Sequence, residues 1–203
     1  MRFPARGLYA ITQTDHKSTD IIVNEVIAAI KGGAVVVQYR DKNPSDAVYL
    51  ASELLNVCHR ANVPLLINDD VELAAKIGAD GVHIGKEDGA IAQARARLGE
   101  KAIIGVSCYN CIDQAVDAER QSATYVAFGR FFPSTSKPLA APAQLETLRQ
   151  ARLKISVPIV AIGGILPDNG GLLLAAGADV LAVIGGLFDS APEQSARAYQ
   201  ALF

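Results

Sequence analysis

Short apolar runs alternate with amphipathic segments along the whole of this 203-residue chain. After each apolar run comes a polar turn, and then a segment such as SDAVYLASELLNVCHRA (45–61), in which apolar residues recur at helical spacing. The runs lie at residues 8–12, 34–39, 63–67, 81–84, 102–107, 125–129, 157–162 and 180–184. Eight strand candidates separated by helices predict parallel strands joined by crossover helices.

Glycines mark the ends of several predicted helices. Gly33, Gly78 and Gly177 each come directly before the next apolar run or one short turn ahead of it, where a left-handed helix cap belongs. The runs are almost continuously apolar, which is typical of a parallel sheet covered on both faces. We therefore predict an α/β fold, an eight-stranded parallel (β/α)8 or TIM barrel. An open doubly wound sheet is the alternative, but no G-x-G-x-x-G follows the first strand.

Composition and charge exclude several classes of function for this chain. Half of the residues are hydrophobic, 20% are charged and no linker divides the chain, so we predict a single domain over residues 1–203. The formal net charge of −2, with acids and bases interspersed, offers no basic face for nucleic acid or an anionic membrane. No apolar run approaches the roughly 18 residues of a membrane span, and MRFPARGLYA lacks the apolar segment of a signal peptide. We expect a cytoplasmic protein, and a homo-oligomer stays possible.

The three cysteines do not make a disulfide framework in a chain of this length. Cys108 and Cys111 form a C-x-x-C spacing, which raises redox chemistry or half of a zinc site. A zinc site needs two more close ligands, and the three histidines are scattered along the chain. We expect the three cysteines to be incidental small residues of the core.

The stretch GGAVVVQYRDK (32–42) begins like a buried strand and ends in charge. Side chains along a strand alternate between two faces, so if Val36 points into the barrel then Gln38 and Arg40 do too, with Lys42 just beyond. The reactive surface of a TIM barrel is the rim at the carboxyl ends of its strands. Two cations at that rim predict an anion receptor.

Polar residues also follow other predicted strands. They are Asn68, Asp69, Asp70, Glu87, Asp88, Ser107, Ser134, Thr135, Ser136 and Lys137. Asp69 and Asp88, on neighbouring strand ends, can together hold one Mg²⁺, which takes one or two carboxylates plus phosphate oxygens. Helix capping is the alternative, because Asp69 followed by Glu72 resembles a capping box and Asp88 could cap the next helix.

Glycine pairs, Gly163-Gly164 and Gly185-Gly186, follow the last two predicted strands. Glycine-rich loops at these places are the usual phosphate site of TIM barrels, because backbone N–H groups meet the anion there. The residues at the rim therefore predict two anion sites. One is metal-assisted and suits a polyphosphate, and the other is metal-free and suits a phosphate. No Ser–His or Cys–His pair indicates a covalent nucleophile.

With these residues in view, the chain resembles the thiamine phosphate synthase family. The resemblance rests on GLYAIT, VQYRDK, LLINDD, DGVHIGKEDG, IIGVSCYN, YVAFGRFFPSTSK and PIVAIGGI, which run in order over nearly the whole chain. It implies a Mg²⁺-assisted transferase that condenses 4-amino-2-methyl-5-hydroxymethylpyrimidine pyrophosphate with thiazole phosphate. Pyrophosphate would leave the methylene carbon of the pyrimidine, and the thiazole nitrogen would attack the resulting cation.

The resemblance also implies roles for individual residues. Pyrophosphate contacts would come from Gln38, Tyr39, Arg40, Asp41 and Lys42. Further contacts to the pyrimidine substrate would come from Asn68, Ser107 and Lys137, with Lys137 near the departing pyrophosphate, and the Mg²⁺ ligands would be Asp69 and Asp88. Contacts to the thiazole phosphate would come from Ser134, Thr135, Ser136, Gly164, Ile184 and Gly185. The catalytic group would be Arg40, Lys42, Ser107 and Lys137.

Three positions depart from the pattern of that family. Tyr109 stands where a histidine is frequent, Gly185 replaces a frequent serine, and Ser136 replaces a common threonine. None of the three removes a charge from the expected metal or pyrophosphate site.

Two rival functions use the same rim. A thiazole tautomerase, an isomerase of related sequence, would shift a proton on the thiazole phosphate without a metal or a pyrophosphate contact. A catalytically silent barrel would only sense a phosphorylated metabolite. The cations and carboxylates at the predicted polyphosphate site argue against both, because neither rival needs them.

Overall fold

The computed structural model describes residues 1–85, 90–133 and 142–203. Within them, eight parallel strands pair in chain order, and the first pairs with the last to close a barrel. The strands are β1 (Gly7–Ile11), β2 (Ala34–Tyr39), β3 (Leu65–Asn68), β4 (Gly81–Ile84), β5 (Ile103–Tyr109), β6 (Tyr125–Gly129), β7 (Ile159–Ile162) and β8 (Val180–Val183). The predicted (β/α)8 barrel is confirmed, and the open sheet is excluded.

Helices follow the strands, as the periodicity predicts. They are α1 (Thr19–Lys31), α2 (Ala47–Arg60), α3 (Val71–Ile77), α4 (Ala90–Leu98), α5 (Ile112–Arg120), α6 (Leu145–Arg152), α7 (Pro167–Ala175), α8 (Gly185–Phe188) and α9 (Pro192–Gln200). The short α8 begins at the second glycine pair, where the sequence predicts only a loop. No helix in the described ranges is both long enough and apolar enough to cross a bilayer.

Two apolar layers hold the barrel together. One fills its interior, and the other lies between the strands and the helices. Val36 is fully buried in the interior, whereas Val37 is fully buried in the outer layer. The alternation assumed for β2 is therefore confirmed, and it carries Gln38 to the inner face near the carboxyl end of the strand.

A repeated Gly-Ala-Asp sequence ties strands together at the amino end of the barrel. The carboxylate of Asp80, just before β4, accepts a hydrogen bond from the N–H of Leu65 in β3 at 3.0 Å. The carboxylate of Asp179, just before β8, accepts one from the N–H of Ile159 in β7 at 2.8 Å and also pairs with Arg152. The same three residues thus make the same link on opposite sides of the barrel.

Candidate active site

A cavity of about 440 Å³ opens at the carboxyl end of the barrel, and all eight strands or the residues just after them contribute to its wall. That volume lies within the range of small-molecule sites. Polar groups are confined to parts of the wall, and apolar side chains such as Ile11, Val160 and Ile162 form much of the rest. The cavity can therefore hold a ring while its polar ends are bound separately.

Arg40 lies at the mouth of this cavity, directly after β2. The buried Thr12 hydroxyl fixes its backbone, accepting from the Arg40 N–H at 2.9 Å and donating to the Arg40 carbonyl at 3.0 Å. Arg40 also lines a neighbouring cavity of about 190 Å³, together with Lys42. The structure thus brings the two cations to one edge of the rim.

Tyr39 and Asp41 do not reach either cavity wall. Because Gln38 faces inward, the Tyr39 side chain faces the helices and is buried in the outer layer. The Asp41 carboxylate instead accepts a hydrogen bond from the N–H of Asn43 at 3.0 Å. For these two residues the side-chain contacts implied by the resemblance have no support in the geometry.

The three polar residues at the end of β3 separate into two groups. Asn68 and Asp69 line the cavity, and the Asn68 amide donates to the Asp69 carboxylate at 2.7 Å. Asp69 has the left-handed φ of 62°, a conformation that aspartate tolerates better than most residues. Asp70 caps α3, its carboxylate accepting from the Leu73 N–H at 2.8 Å. The capping alternative for Asp69 is therefore wrong.

A chain of hydrogen bonds crosses the floor of the cavity. The Gln38 amide nitrogen lies 2.6 Å from the Tyr9 hydroxyl, which lies 2.9 Å from the Tyr125 hydroxyl. The Tyr125 hydroxyl lies 2.9 Å from Nδ1 of His83, and Nε2 of His83 lies 2.8 Å from the Ser107 hydroxyl. We call these five residues the floor chain. The sequence predicts only its two ends, Gln38 and Ser107, and misses the three rings between them.

The Gln38 amide begins one consistent direction of hydrogen bonding along the floor chain. An amide nitrogen can only donate, so Tyr9 accepts from Gln38, and in this direction the Tyr9 proton points to Tyr125. Tyr125 then donates to Nδ1 of His83 in the tautomer that carries the ring proton on Nε2 and donates it to Ser107. In this order the Ser107 proton is free to point into the cavity.

This direction bears on the Ser–His pair, which the sequence does not predict. A serine nucleophile needs a histidine nitrogen that accepts its proton. In that tautomer His83 donates to Ser107, and its other nitrogen faces a phenol rather than a carboxylate. Burial raises the pKa of both Tyr9 and Tyr125, which keeps the two phenols neutral. With the proton on Nε2 of His83, the pair orients Ser107 as a donor and does not activate it.

Gly105 explains how two large rings meet in a crowded barrel. In the strand register Gly105 lies opposite His83 of β4 on one side and Tyr125 of β6 on the other. A Cβ atom at Gly105 would lie 1.9 Å from Cζ of Tyr125, so only glycine leaves room for that ring. The rings of His83 and Tyr125 consequently lie 5.7 Å apart and nearly parallel. A glycine inside a strand is the sequence signal that marks this contact.

The two glycine pairs follow β7 and β8 on the cavity wall, and Gly185 also lines the smaller cavity with Arg40 and Lys42. Gly164 has a φ of 65°, and a Cβ atom there would lie 2.3 Å from the Pro133 carbonyl oxygen. Gly185 and Gly186 begin α8 after Ile184, so their N–H groups have no acceptor within the helix. The Asp189 carboxylate also lines this part of the wall and accepts from the Gln13 amide at 3.1 Å.

Comparison with known proteins decides the family. The family model described as thiamine monophosphate synthase matches residues 8–187. The chain belongs to the thiamine monophosphate synthase family. Proteins named thiamine-phosphate synthase from Methylococcus capsulatus and Nitrosococcus oceani are 48% and 50% identical to it, covering 99% and 95% of this chain and 91% and 90% of theirs. The thiamine phosphate pyrophosphorylase of Pyrococcus furiosus superposes with a TM-score of 0.86 at 31% identity, over 98% of this chain and 95% of that one.

Membership in the thiamine monophosphate synthase family makes the chain a transferase of thiamine biosynthesis. Five of the predicted site residues lie outside the described residues. They are Asp88, Ser134, Thr135, Ser136 and Lys137. Tyr109, one of the departures from the family pattern, lines the cavity and is 38% exposed.

One feature of the described part of the cavity suits a divalent metal. No cluster of three or more His, Cys, Asp or Glu side chains occurs in residues 1–85, 90–133 and 142–203. Asp69 nevertheless presents an exposed carboxylate on the cavity wall that also carries Arg40. Mg²⁺ usually takes one or two carboxylates and completes its shell with phosphate oxygens and water, so a single carboxylate beside an anion site suits it.

The C-x-x-C motif takes no part in the site. Cys58, Cys108 and Cys111 are free thiols, and Cys108 is fully buried. Burial raises the pKa of Cys108 to about 12, so its sulfur stays protonated and is a poor nucleophile or metal ligand. Both observations fit small core residues.

Proposed function

We propose that this chain joins hydroxymethylpyrimidine pyrophosphate to thiazole phosphate and releases pyrophosphate. The observation that carries the proposal is one cavity whose wall has Arg40 and Asp69 at one edge, with Lys42 in the smaller cavity beside it, and the glycine pairs after β7 and β8 at another edge. Each edge suits one of the two anionic groups that the substrates bring. The apolar wall and the floor chain between them suit the two heterocycles.

Arg40 and Lys42 would bind the pyrophosphate, at the edge where they meet. Asp69 and Asp88 would hold Mg²⁺, which when bound supplies further positive charge for the departing pyrophosphate. A leaving group of this kind needs its growing negative charge stabilised as the C–O bond breaks, and fixed cations do so without reorganising. Lys137 would add a third cation to the same group.

The floor chain would hold the pyrimidine. With the proton of His83 on Nε2, Ser107 can donate to a ring nitrogen, and Asn68 can pair with the ring edge. Holding the ring fixes the methylene carbon between the pyrophosphate and the incoming thiazole. Such positioning contributes more than any covalent step, because the attacking nitrogen belongs to the second substrate.

The glycine pairs after β7 and β8 would hold the thiazole phosphate. The N–H groups of Gly164, Gly185 and Gly186 are uncharged donors, which suits a phosphate that must be bound and later released with the product. Ser134, Thr135 and Ser136 would add hydroxyl donors. The apolar wall would keep water from the pyrimidine cation, which water would otherwise trap.

The test is incubation of the protein with both substrates and Mg²⁺, following thiamine phosphate and pyrophosphate together. Equal amounts of the two products are expected, and omission of the thiazole phosphate should abolish thiamine phosphate. Tautomer conversion without coupling would replace the proposal with an isomerase. Binding of both substrates without turnover would replace it with a sensor. A cytoplasmic location and a homo-oligomeric state stay predictions.

A further inference from the structure

Phe3 lies at the end of the barrel opposite the cavity mouth. It precedes β1, is half-buried and packs against the interior layer, but it does not line the cavity. Its ring stacks on Tyr125, with centroids 4.1 Å apart and planes 14° apart. Its edge meets Tyr9 at a centroid distance of 6.2 Å and an angle of 71°. Phe3 therefore touches the two phenols at the centre of the floor chain.

Tyr125 is the member of the floor chain with the most constraints. Its hydroxyl has to reach Tyr9 and His83 at once, each at 2.9 Å. Its ring lies over the space left by Gly105, which has no side chain to support it. The ring plane consequently depends on the stacked neighbour, and among the described residues Phe3 is the ring closest to it.

A tilt of the Tyr125 ring would be transmitted along the chain. The hydroxyl lies at the far end of the ring, so a small rotation moves it by enough to lengthen one of its hydrogen bonds. If Nδ1 of His83 loses the proton donated by Tyr125, the ring proton is no longer confined to Nε2. Ser107 would then lose its fixed donor and, with it, the fixed direction of its own proton.

We propose that Phe3 is a positioning residue, which holds Tyr125 by stacking and thereby fixes the tautomer of His83 and the donor direction of Ser107. This inference rests on the proposed function for its effect on turnover, because Ser107 would contact the pyrimidine. Its effect on His83 does not depend on any substrate. Phe3 acts from outside the cavity and meets neither reactant.

The decisive variant is Phe3→Leu, which keeps most of the volume and removes the aromatic face. Phe3→Tyr keeps the aromatic face and should therefore behave like the wild-type protein. Phe203→Leu is the matched control, since Phe203 is also half-buried but packs on the outer layer. The first measurement is the ¹⁵N spectrum of the histidine rings, with His83 assigned by its loss in His83→Gln. The second is kcat and KM for the pyrimidine substrate.

We expect wild-type, Phe3→Tyr and Phe203→Leu to show His83 with a pyridine-like Nδ1 and a protonated Nε2. Phe3→Leu should move both shifts toward the average of two tautomers and lower kcat by about 5- to 20-fold. In the background of Tyr125→Phe, which lacks the hydroxyl, Phe3→Leu should add little further loss. This comparison of Tyr125→Phe with the double variant still tests the inference if Phe3→Leu alone folds poorly, because both proteins compared share the Tyr125→Phe background.

If Phe3→Leu shows the His83 chemical shifts and the kcat of the wild-type protein, the inference is overturned. Phe3 would then be only a packing residue of the barrel interior. An equal loss of kcat in Phe203→Leu would overturn it too, since a general loss of stability would then explain both. If the wild-type protein makes no thiamine phosphate, the proposed function fails, but the ¹⁵N spectra still decide whether Phe3 controls the tautomer of His83.

Discussion

Asp69 and Asp70 follow the same strand and have different tasks. Asp69 turns its carboxylate to the cavity through a left-handed backbone, while Asp70 accepts a hydrogen bond from the Leu73 N–H in the first turn of α3. Their identical chemistry hides this difference in the sequence. The backbone conformation of one residue decides which carboxylate is left for a ligand.

The two aspartates should therefore separate activity from stability. Asp69→Ala should lower the coupling rate at least tenfold and raise the Mg²⁺ concentration needed for half-maximal rate, because a ligand is lost. Asp70→Ala should retain the rate and lower the unfolding free energy by about 1 kcal/mol, as loss of a helix cap does. Steady-state rates over a Mg²⁺ series and urea unfolding measure the two effects. The reverse assignment of effects would contradict the proposed metal site.

Arg40→Ala should slow coupling by at least tenfold, because one fixed positive charge on the leaving group is removed. Arg60→Ala is the matched control, since Arg60 is an exposed arginine at the end of α2. Single-turnover measurement of pyrophosphate release compares the two. Full rate in Arg40→Ala would mean that the pyrophosphate binds elsewhere.

Gly185→Ser should bind thiazole phosphate more tightly by about 1 kcal/mol, through one added hydroxyl donor. A Cβ atom at Gly185 would lie 2.6 Å from the Asp189 carboxylate, which has to turn aside. Gly185→Ala imposes the same displacement without the hydroxyl and is the control. Titration calorimetry gives both affinities. Weaker binding in the serine variant than in the alanine variant would place the phosphate away from this turn.

At the scale of elements, the Gly-Ala-Asp sequences act as fixed links between strands. The glycine ends a helix, and the aspartate then bonds the backbone of the preceding strand. Two such links lie half a barrel apart, before β4 and β8. The half-barrel spacing is visible in the sequence, but the carboxylate contact is not.

Asp80 makes this link dependent on pH. Burial alone would raise the pKa of Asp80, but hydrogen bonds from the Leu65 N–H, His59 and the Met1 amino group outweigh it and lower the pKa below 3.8. A lowered pKa in the folded state stabilises the protein above the unfolded pKa, near 4, and this contribution is lost as the pH falls through the folded value.

Asp80→Asn should accordingly lower the unfolding free energy by about 1–3 kcal/mol near pH 7, because a buried acceptor for several donors is weakened. The difference from wild type should shrink below about pH 4, where the carboxylate becomes protonated. Asp117→Asn, at an exposed ion pair with Arg120, should change stability by less than about 0.5 kcal/mol. Urea unfolding from pH 3 to pH 8 tests this. A difference that is constant with pH would exclude the carboxylate charge as its cause.

At the scale of the whole molecule, the barrel interior serves as both core and active-site floor. Gly105 joins these functions, because its missing side chain lets His83 and Tyr125 meet beneath the cavity. We therefore expect packing and the coupling rate to depend on the same position. A change there should affect both at once.

Gly105→Ala should destabilise the fold by about 1–3 kcal/mol, since the Tyr125 ring must move, and should also lower the coupling rate. Gly171→Ala is the control, because a Cβ atom there, within α7, meets nothing within 4 Å. That variant should be neutral or slightly stabilising, as alanine favours a helix over glycine. Urea unfolding and the coupling assay together check both variants. Equal stability of the two would show that the Tyr125 ring adapts.

Much of this fold and part of its site follow from the sequence alone. The bounds of β2, β4 and β6 agree with the predicted runs, because parallel strands in a barrel are apolar on both faces and end where polar residues begin. Alternation along β2 places Arg40 at the rim, and this alternation also depends only on neighbouring residues of the strand. The capping alternative for Asp69 failed because two adjacent aspartates can both cap, and only backbone torsions choose between them.

The sequence by itself determined which segments are strands and helices, and which side chains of a strand share a face. These follow from short-range periodicity and helix-end chemistry. Only the tertiary structure decided that Tyr9 and Tyr125, 116 residues apart, share a hydrogen bond, and that His83 lies against Ser107. The physical reason is closure: strand register and the return of β8 to β1 set distances across the barrel, and no local pattern encodes them.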